Sequence, residues 1–314
     1  MPRYLLSRLF QSIALVVVVS IVMFALISSA PGGPAILYQE DVTEEMAATM
    51  RRNLGLDDPI VVQYGRWAAR MLSGDAGTSM SNSRPVATLI GQRFGATATL
   101  ALASLGLALV VAIPIGVVSA VRRNGWFDRI ATVIAFMGVS IPNFWLGIMM
   151  IILFSVTLGW LPSGGTGATD GGDALTRLRH LIMPALVLGT STMAQLTRYT
   201  RSSMITVMRE DYVRTARAKG VSERNVINRH AVRTAINPLV SMAGLQLPEL
   251  INGTIIASIV LNLPTIGPLL YDSLLAKDQY VAMTLLLFAS LLLMIGNLLA
   301  DLALAWVDPR IRYG

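Results

Sequence analysis

The chain has 314 residues, of which 54% are hydrophobic and only 14% charged, and its formal net charge is +7. Soluble globular domains carry roughly 25% charged residues, so this composition excludes an ordinary soluble domain and predicts an integral membrane protein. With no cysteine and only His180 and His230 as histidines, structural disulfides, thiolate metal sites and a cysteine nucleophile are excluded as well.

A transmembrane helix needs about 20 predominantly apolar residues. Such runs predict an all-α integral membrane protein with six transmembrane helices, at residues 9–30, 96–121, 130–158, 181–199, 239–261 and 281–307. The first run also resembles a signal peptide, because small residues end it at Ala30, but Pro31 follows directly and we interpret the run as a retained helix. If the N-terminus is cytoplasmic, most Lys and Arg residues lie in inside loops, which predicts that both termini are cytoplasmic.

The chain is expected to fall into three segments. Residues 1–30 hold the first helix, residues 31–95 form an extracytoplasmic loop with short helices, and residues 96–314 form a membrane core. In the loop, Asp41 is predicted to cap a helix that ends at Gly55. Apolar residues at helical spacing after position 59 predict a second, amphipathic helix.

Two of the apolar runs contain residues that break helices. The sequence "SIPN" at 140–143 predicts a kink in the third helix. The sequence "GLQLPELINGT" breaks the fifth run at Pro248 and places Gln246, Glu249 and Asn252 at membrane depth. Polar, broken stretches at this depth occur where a helix faces a cavity or other protein. A translocation path and helix packing therefore both remain open for these three side chains.

One long basic segment lies between the fourth and fifth runs, at about residues 200–237. A helical pattern from Met204 leads to Gly220, which suits the left-handed position after a helix, and Ser222 can cap a second helix that ends near Asn237. In a soluble protein this pattern would indicate a DNA-binding motif, but transmembrane runs on both sides argue against nucleic acid. The tendency of positive residues to lie on the cytoplasmic side explains part of the arginine content. Such charge needs no defined fold, whereas this segment is predicted to form two helices around a glycine turn. We therefore expect the turn to dock another protein.

The sequence "YVRTARAKG" at 212–220 resembles the cytoplasmic coupling loop of ABC importer permeases of the peptide/nickel subfamily, B-type subunit (dipeptide and oligopeptide permeases). The broad importer motif reads Glu-Ala-Ala, then three further residues, then Gly. At the corresponding positions of this chain only Ala216 and Gly220 match, and this departure resembles the peptide-type variant. The small side chains of Ala216 and Ala218 would allow close approach by a partner. Further stretches match in order along nearly the whole chain: "MPRYLLSRLFQSI", "APGGPA", "GDAGTSMSNSRPV", "VSIPNFWLGIMM", "HLIMPALVLG" and "GNLLADLALAWVDPRIR".

The resemblance implies a type I ABC importer permease fold in the bacterial cytoplasmic membrane, surrounded by lipid. It implies three kinds of partner: a homologous second permease, one or two cytoplasmic P-loop ATPase subunits and an extracytoplasmic solute-binding protein. ATP and Mg²⁺ would be bound by the ATPase subunits, with no catalytic residue, metal or cofactor in this chain. Residues expected to couple the permease to the ATPase are Arg214, Thr215, Ala216, Arg217, Ala218, Lys219, Gly220, Val221 and Ser222.

The energy source is expected to be a partner. The sequence contains no G-x-x-x-x-G-K-[ST] phosphate loop, and a proton- or sodium-coupled carrier would need several intramembrane ionisable groups where this chain has few. We therefore expect an ATP-driven importer, with di- or oligopeptides as the leading substrate and nickel chelates, glutathione and haem as alternatives. A carrier that works without an ATPase and a non-transporting assembly factor are the other hypotheses.

Overall fold

The computed structural model describes residues 2–29, 33–38, 40–167, 172–237, 239, 242, 246 and 254–307. In these ranges the chain is helical, which confirms the all-α prediction there; the one β-type pairing in them is an isolated bridge between Thr78 and Pro85. The elements in chain order are α1 (Pro2–Ser29), a 3₁₀ turn (Ala35–Tyr38), α2 (Glu44–Leu54), α3 (Ile60–Leu72), α4 (Val86–Val121), α5 (Trp126–Ser140), α6 (Asn143–Met150) with a π-helical continuation (Ile151–Thr157), α7 (Ala174–Val207), α8 (Asp211–Ala218), α9 (Glu223–Asn225), a π-helical stretch (Val226–Ala231), α10 (Val232–Ala235), α11 (Thr254–Val260), α12 (Ile266–Leu275) and α13 (Gln279–Val307).

The predicted apolar runs fall largely within these helices. Among the described residues, α4 and the Gln279–Leu298 part of α13 are long and apolar enough to cross a membrane, and the α5–α6 pair makes a third if it forms one broken span. In α1 the apolar stretch is shorter, Ile13–Ser29. The run at 239–261 lies largely outside the described residues, and its end forms α11. The number of spans and the side on which the termini lie stay predictions.

The third run is broken more sharply than the sequence predicts. α5 and α6 are bent by 106° at the break between Ser140 and Asn143. Ile141 has φ −79° and ψ 122° and Pro142 has φ −62° and ψ 135°, so two consecutive residues are extended. A residue before proline is pushed out of the helical region, and proline has no N–H to continue the helical hydrogen bonds. The predicted kink in a continuous helix is therefore wrong, because two separate helices meet here.

The two short helices of the predicted external loop form as expected, but the first has a different cap. Its N-cap is Thr43, whose Oγ1 accepts a hydrogen bond from the Met46 N–H at 3.3 Å, and not Asp41. With this start, two glutamates fall in the first turn, where their negative charge interacts favourably with the positive end of the helix dipole. Gly55 ends α2 in the left-handed conformation, with φ 66°, as predicted. α3 then follows after a short turn.

The chain divides into two compact units. One combines the part up to Gly95 with Pro264–Met294, and the other runs from Ala96 to Leu263 and takes up the chain again from Ile295. In the first unit, Phe24 of α1 packs with Trp67 of α3 and Met283 of α13. A second cluster in this unit joins α4, α12 and α13 through Val86, Leu89, Ile90, Ile266, Leu269, Val281 and Leu285.

A buried carboxylate in the first unit joins segments that are far apart in sequence. Asp278 is 2% exposed and precedes α13. It accepts hydrogen bonds from the Ser79 hydroxyl at 2.5 Å, the Ser81 N–H at 3.1 Å and the Val281 N–H at 3.3 Å. The bond to Val281 satisfies a free N–H in the first turn of α13, where negative charge is favoured. The carboxylate therefore holds the loop before α4 against the start of the last helix.

In the second unit, α5 and α7 pack closely. A Cβ atom added to Gly138 would lie 3.2 Å from Thr190 Cγ2, so the two helices approach each other at this glycine. At the start of α5, the buried Asp128 accepts hydrogen bonds from Arg201 of α7, with Oδ1 2.5 Å from Nε and Oδ2 2.8 Å from Nη2. The Asn124 N–H donates to the same carboxylate at 2.9 Å. This ion pair fixes the start of α5 on α7.

Candidate functional site

The basic segment predicted to dock a partner begins with a break. α7 ends at Val207, and the Glu210 N–H then donates to the Val207 carbonyl at 3.1 Å in a turn. Glu210 is extended, with φ −66° and ψ 148°, and directly precedes α8. The predicted continuous helix from Met204 to Gly220 is therefore wrong, because the extended residue interrupts the helical hydrogen bonds. Residues 211–235, from α8 to the end of α10, are termed the docking segment below.

α8 ends in a turn that requires glycine at one position. Gly220 has φ 72°, in the left-handed region, as the sequence predicts. Its N–H donates to the Arg217 carbonyl at 3.0 Å, and the Val221 N–H donates to the Ala216 carbonyl at 3.2 Å, which are the paired bonds of a Schellman motif. Among the described residues, a Cβ atom at Gly220 would meet nothing within 4 Å, so the backbone conformation and not crowding selects glycine. No described residue covers the surface above the turn.

The helix after the turn forms in three pieces, α9, the π-helical stretch and α10, and ends at Ala235, close to the predicted end. Ser222 precedes it in an extended conformation, but its side chain makes no capping hydrogen bond. The Asn225 N–H, which a capping side chain would accept, donates to the Ser222 carbonyl at 2.9 Å instead. The predicted second helix is confirmed, and the predicted side-chain cap is wrong because the Asn225 N–H bonds to the Ser222 carbonyl and not to its hydroxyl.

One face of α8 packs inside the chain. Val213 is fully buried and Ala216 is 8% exposed. Three residues apart, they lie on the same side of the helix. Ala216 is therefore mostly covered by its own chain and Ala218 is exposed, and the contact of both with a partner stays a prediction. The buried cluster that they join also contains Ala120, Met204, Val207, Val226, Ala231 and Ala235.

The exposed surface of the docking segment carries the charges. Arg217 donates to both carboxylate oxygens of Glu223 across the turn, at 3.0 and 2.7 Å. This pair of hydrogen bonds lowers the pKa of Glu223 and raises the pKa of Arg217. At the start of α8, Arg214 forms an ion pair with Asp211. Val221 is half-buried, and the exposed members of the predicted docking set are Arg214, Thr215, Arg217, Ala218, Lys219, Gly220 and Ser222.

Of the three residues predicted near the translocation path, one can be placed. Gln246 is 7% exposed, and its Nε2 donates to Oε1 of Gln195 on α7 at 3.4 Å. Glu249 and Asn252 lie outside the described residues. Gln195 could not be recognised from sequence, because a single amide in an apolar run has no evident role until its neighbour is known.

Gln195 also lines a groove between α5 and α7, with a volume of about 620 Å³. Arg198 lies in this groove with its guanidinium 4.7 Å from the centre of the Phe136 ring, a cation–π contact. From the sequence alone, Arg198 and Arg201 indicate only which side of the membrane the segment lies on. The signal that could have revealed the groove is the spacing of Gln195, Arg198 and Ser202, which places them on one face of α7. The groove is lined by Thr132, Phe136, Val139, Gln195, Arg198, Tyr199, Arg201 and Ser202.

The described part of the chain offers no arrangement typical of metal binding, because no three His, Cys, Asp or Glu side chains come together in it. The Nδ1 atom of His180 shares a hydrogen bond with the Gly164 carbonyl at 2.8 Å. Asp173 caps α7 by accepting the Thr176 N–H at 2.9 Å, and this bond lowers the pKa of Asp173. Both groups stabilise local structure at the start of α7.

Two family models match the sequence. The model described as "Binding-protein-dependent transport system inner membrane component" matches residues 112–313, and that described as "Binding-prot-dependent transport system membrane comp, N-term" matches residues 1–101. Similar proteins include the oligopeptide transport system permease protein AppB of Bacillus subtilis, 40% identical over 316 residues. They also include the glutathione transport system permease protein GsiC of Salmonella typhi, 40% identical over 314 residues. Each comparison covers 100% of both chains.

A solved structure of similar fold is the inward-facing MetNI methionine ABC transporter, with a TM-score of 0.58 and 19% sequence identity. The similarity covers 70% of this chain and 96% of that chain. A second crystal form of the same transporter gives a TM-score of 0.57 at 18% identity. At these identities the likeness shows the fold alone.

Proposed function

Since the chain belongs to the family of binding-protein-dependent transport system inner membrane components, we propose that it imports di- or oligopeptides as one of two paired permease subunits. It is a permease of an ABC importer in the bacterial inner membrane, and the ATPase activity lies in separate subunits. The full-length relative named for oligopeptide transport supports the peptide substrate. The relative named for glutathione, which is itself a tripeptide, supports a second candidate of the same chemical class.

We expect four components to work together. This chain pairs with a homologous permease, and the two enclose the path for the solute. An extracytoplasmic binding protein delivers the solute, and each permease docks a cytoplasmic ATPase that binds ATP and Mg²⁺. The docking segment of this chain transmits the movement of the ATPase.

The observation that carries this role is the construction of the turn from Ala216 to Val221. Its inner side is anchored, because Ala216 shares a buried cluster with Met204 and Val207 of α7. Its outer side is open, since no atom of the described residues lies within 4 Å of a Cβ atom at Gly220. A partner that displaces this turn therefore also displaces the end of a helix whose other turns line the groove between α5 and α7. In this proposal, movement of the ATPase passes along α7 to the groove between α5 and α7.

Reconstitution tests the proposal. The chain is placed in proteoliposomes with the second permease, the ATPase subunits and the binding protein, and the uptake of labelled dipeptides, pentapeptides and glutathione is measured. Peptide accumulation should require ATP and every subunit, and a non-hydrolysable ATP analogue should not support it. Uptake by the purified chain alone would favour a carrier that needs no ATPase. Failure of the complete transporter to import any peptide would contradict the substrate assignment.

A further inference from the structure

Two grooves flank the contact between α5 and α7, and they differ in character. One, of about 170 Å³, is lined almost wholly by apolar side chains such as Ile115, Ile130, Ile134 and Met193. The other is the groove of about 620 Å³ that holds Arg198. Charged side chains within membrane helices face a water-filled cavity or other protein, whereas apolar surface can face lipid. Arg198 is next to last in the predicted run 181–199, and the groove around it fits the side of the helix pair that faces away from lipid.

Polar groups continue along α7 from this groove towards the fifth apolar run. The Nε2 of Gln195 donates to Ser191 Oγ at 3.4 Å, and its Oε1 accepts from Gln246 Nε2 at 3.4 Å. Ser191, Gln195, Arg198 and Ser202 follow one another at intervals of three or four residues, which places them on one face of the helix. A polar stripe that meets a second polar residue at membrane depth is the arrangement expected of an aqueous path.

Two arginines border the groove, and they differ in how their charge is balanced. Arg201 is neutralised by Asp128 through two hydrogen bonds. Arg198 contacts the Phe136 ring, and no carboxylate of the described residues forms an ion pair with it. The ring orients the guanidinium, and no other described residue is found to occupy its N–H donors. A planar guanidinium can bind a carboxylate through two parallel hydrogen bonds, so the groove presents a carboxylate-binding group.

We propose that Arg198 binds the carboxylate of the transported solute, such as the C-terminus of a peptide, in the groove between α5 and α7. The inference rests on the proposed function, because it takes a carboxylate-bearing peptide as the solute. The groove volume of about 620 Å³ lies within the range of about 300 to 1,000 Å³ typical of small-molecule sites, and so admits a short peptide. An anionic lipid headgroup would use the same chemistry, and the test separates the two.

The test uses the complete transporter in proteoliposomes, with wild-type chain, Arg198→Gln or Arg198→Lys. It compares uptake of a tripeptide that has a free C-terminus with uptake of its C-terminal amide, each with saturating binding protein. Dividing the free-to-amide uptake ratio of a variant by that of the wild type cancels the preference of the binding protein, which is the same throughout. Arg177→Gln, in the first turn of the same helix, is the matched control.

We expect Arg198→Gln to lower the free-to-amide ratio about tenfold, because a hydrogen bond to a charged group is lost. Arg198→Lys keeps the positive charge but cannot make the two parallel hydrogen bonds, so its free-to-amide ratio should lie between those of the wild type and Arg198→Gln. The ratio of Arg177→Gln should match that of the wild type. If Arg198→Gln lowers uptake of both peptides equally, or of neither, the free-to-amide ratio stays unchanged and the proposal is overturned. A defect that depends on the anionic phospholipid content of the vesicles assigns Arg198 to a lipid headgroup instead.

Two further outcomes are also decisive. If Arg198→Gln does not assemble with its partners, Arg198→Lys decides by the same ratio. A wild-type transporter that imports neither peptide contradicts the proposed function, whereas one that imports peptides with a ratio insensitive to Arg198 contradicts only this inference.

Discussion

The ion pair of Asp128 and Arg201 should make a measurable contribution to the stability of the second unit. Asp128→Ala removes a carboxylate that is 3% exposed and accepts two hydrogen bonds from Arg201 and one from the Asn124 N–H. Loss of one member of a buried ion pair costs about 3–5 kcal/mol. The Arg201 side chain is 29% exposed, so water takes up part of its charge, and we expect the free energy of unfolding to fall by about 2–3 kcal/mol. Arg201→Met should cost more, because it leaves the more buried Asp128 uncompensated.

The assay is reversible detergent denaturation of the chain in mixed micelles, for both single variants and the double variant. Because both charges are removed together, the double variant should be less destabilised than the sum of the single variants, by about 1–3 kcal/mol. Additivity within about 0.5 kcal/mol would refute the reasoning. Asp211→Ala is the matched control, since it removes only the exposed pair with Arg214 and should cost about 0–1 kcal/mol.

Three other predictions concern the docking segment and the first unit. Gly220→Val should uncouple ATP hydrolysis from uptake in the reconstituted transporter, because a left-handed residue with a bulky side chain costs about 1–2 kcal/mol. The defect of Gly220→Asn should be milder, because asparagine tolerates that conformation. Ala216→Trp should reduce the amount of folded chain in the membrane, since the site is buried, whereas Ala218→Trp should weaken pull-down of the ATPase at normal expression. Asp278→Ala should speed cleavage of the loop before α4 by protease added to spheroplasts, because the two hydrogen bonds from Ser79 and Ser81 of the loop to its carboxylate are lost.

Each of these predictions has a contrary outcome. Normal coupling in Gly220→Val would reduce the docking segment to a positively charged loop without a coupling role. Normal yield of Ala216→Trp would contradict the burial of that face of α8. Unchanged cleavage in Asp278→Ala would mean that other contacts hold the loop, and Asp57→Ala, which removes an exposed carboxylate, is the control for that assay.

Local backbone chemistry is the part of this structure that the sequence predicts best. The left-handed Gly220 follows from the dihedral angles that glycine allows, and Pro142 marks where the helix is disturbed, although the full break between α5 and α6 is not predicted. The face that a helix buries does not follow in this way. Ala216 is covered because α8 starts afresh after the extended Glu210 and packs on α7, and neither fact can be read from nearby residues.

Contacts between distant segments are the part that the sequence does not predict. Gln195 and Gln246 are 51 residues apart, and Asp128 and Arg201 are 73 residues apart. Nothing in either local sequence identifies the partner, so each polar side chain looks isolated within its apolar run. The groove around Arg198 exists because α5 and α7 pack closely together, and the close approach at a single glycine becomes visible only once both helices are in place.

The Asp278 carboxylate also sets an order of events during biosynthesis. Ser79 and Asp278 are 199 residues apart. Ribosomes add about 5–20 residues per second, so the loop before α4 waits about 10–40 s for its acceptor to be translated. A nascent chain released before that point would leave the Ser79 hydroxyl and the Ser81 N–H without this acceptor and the loop open to quality-control proteases. The bond can therefore form only after residue 278, directly before α13, has been translated.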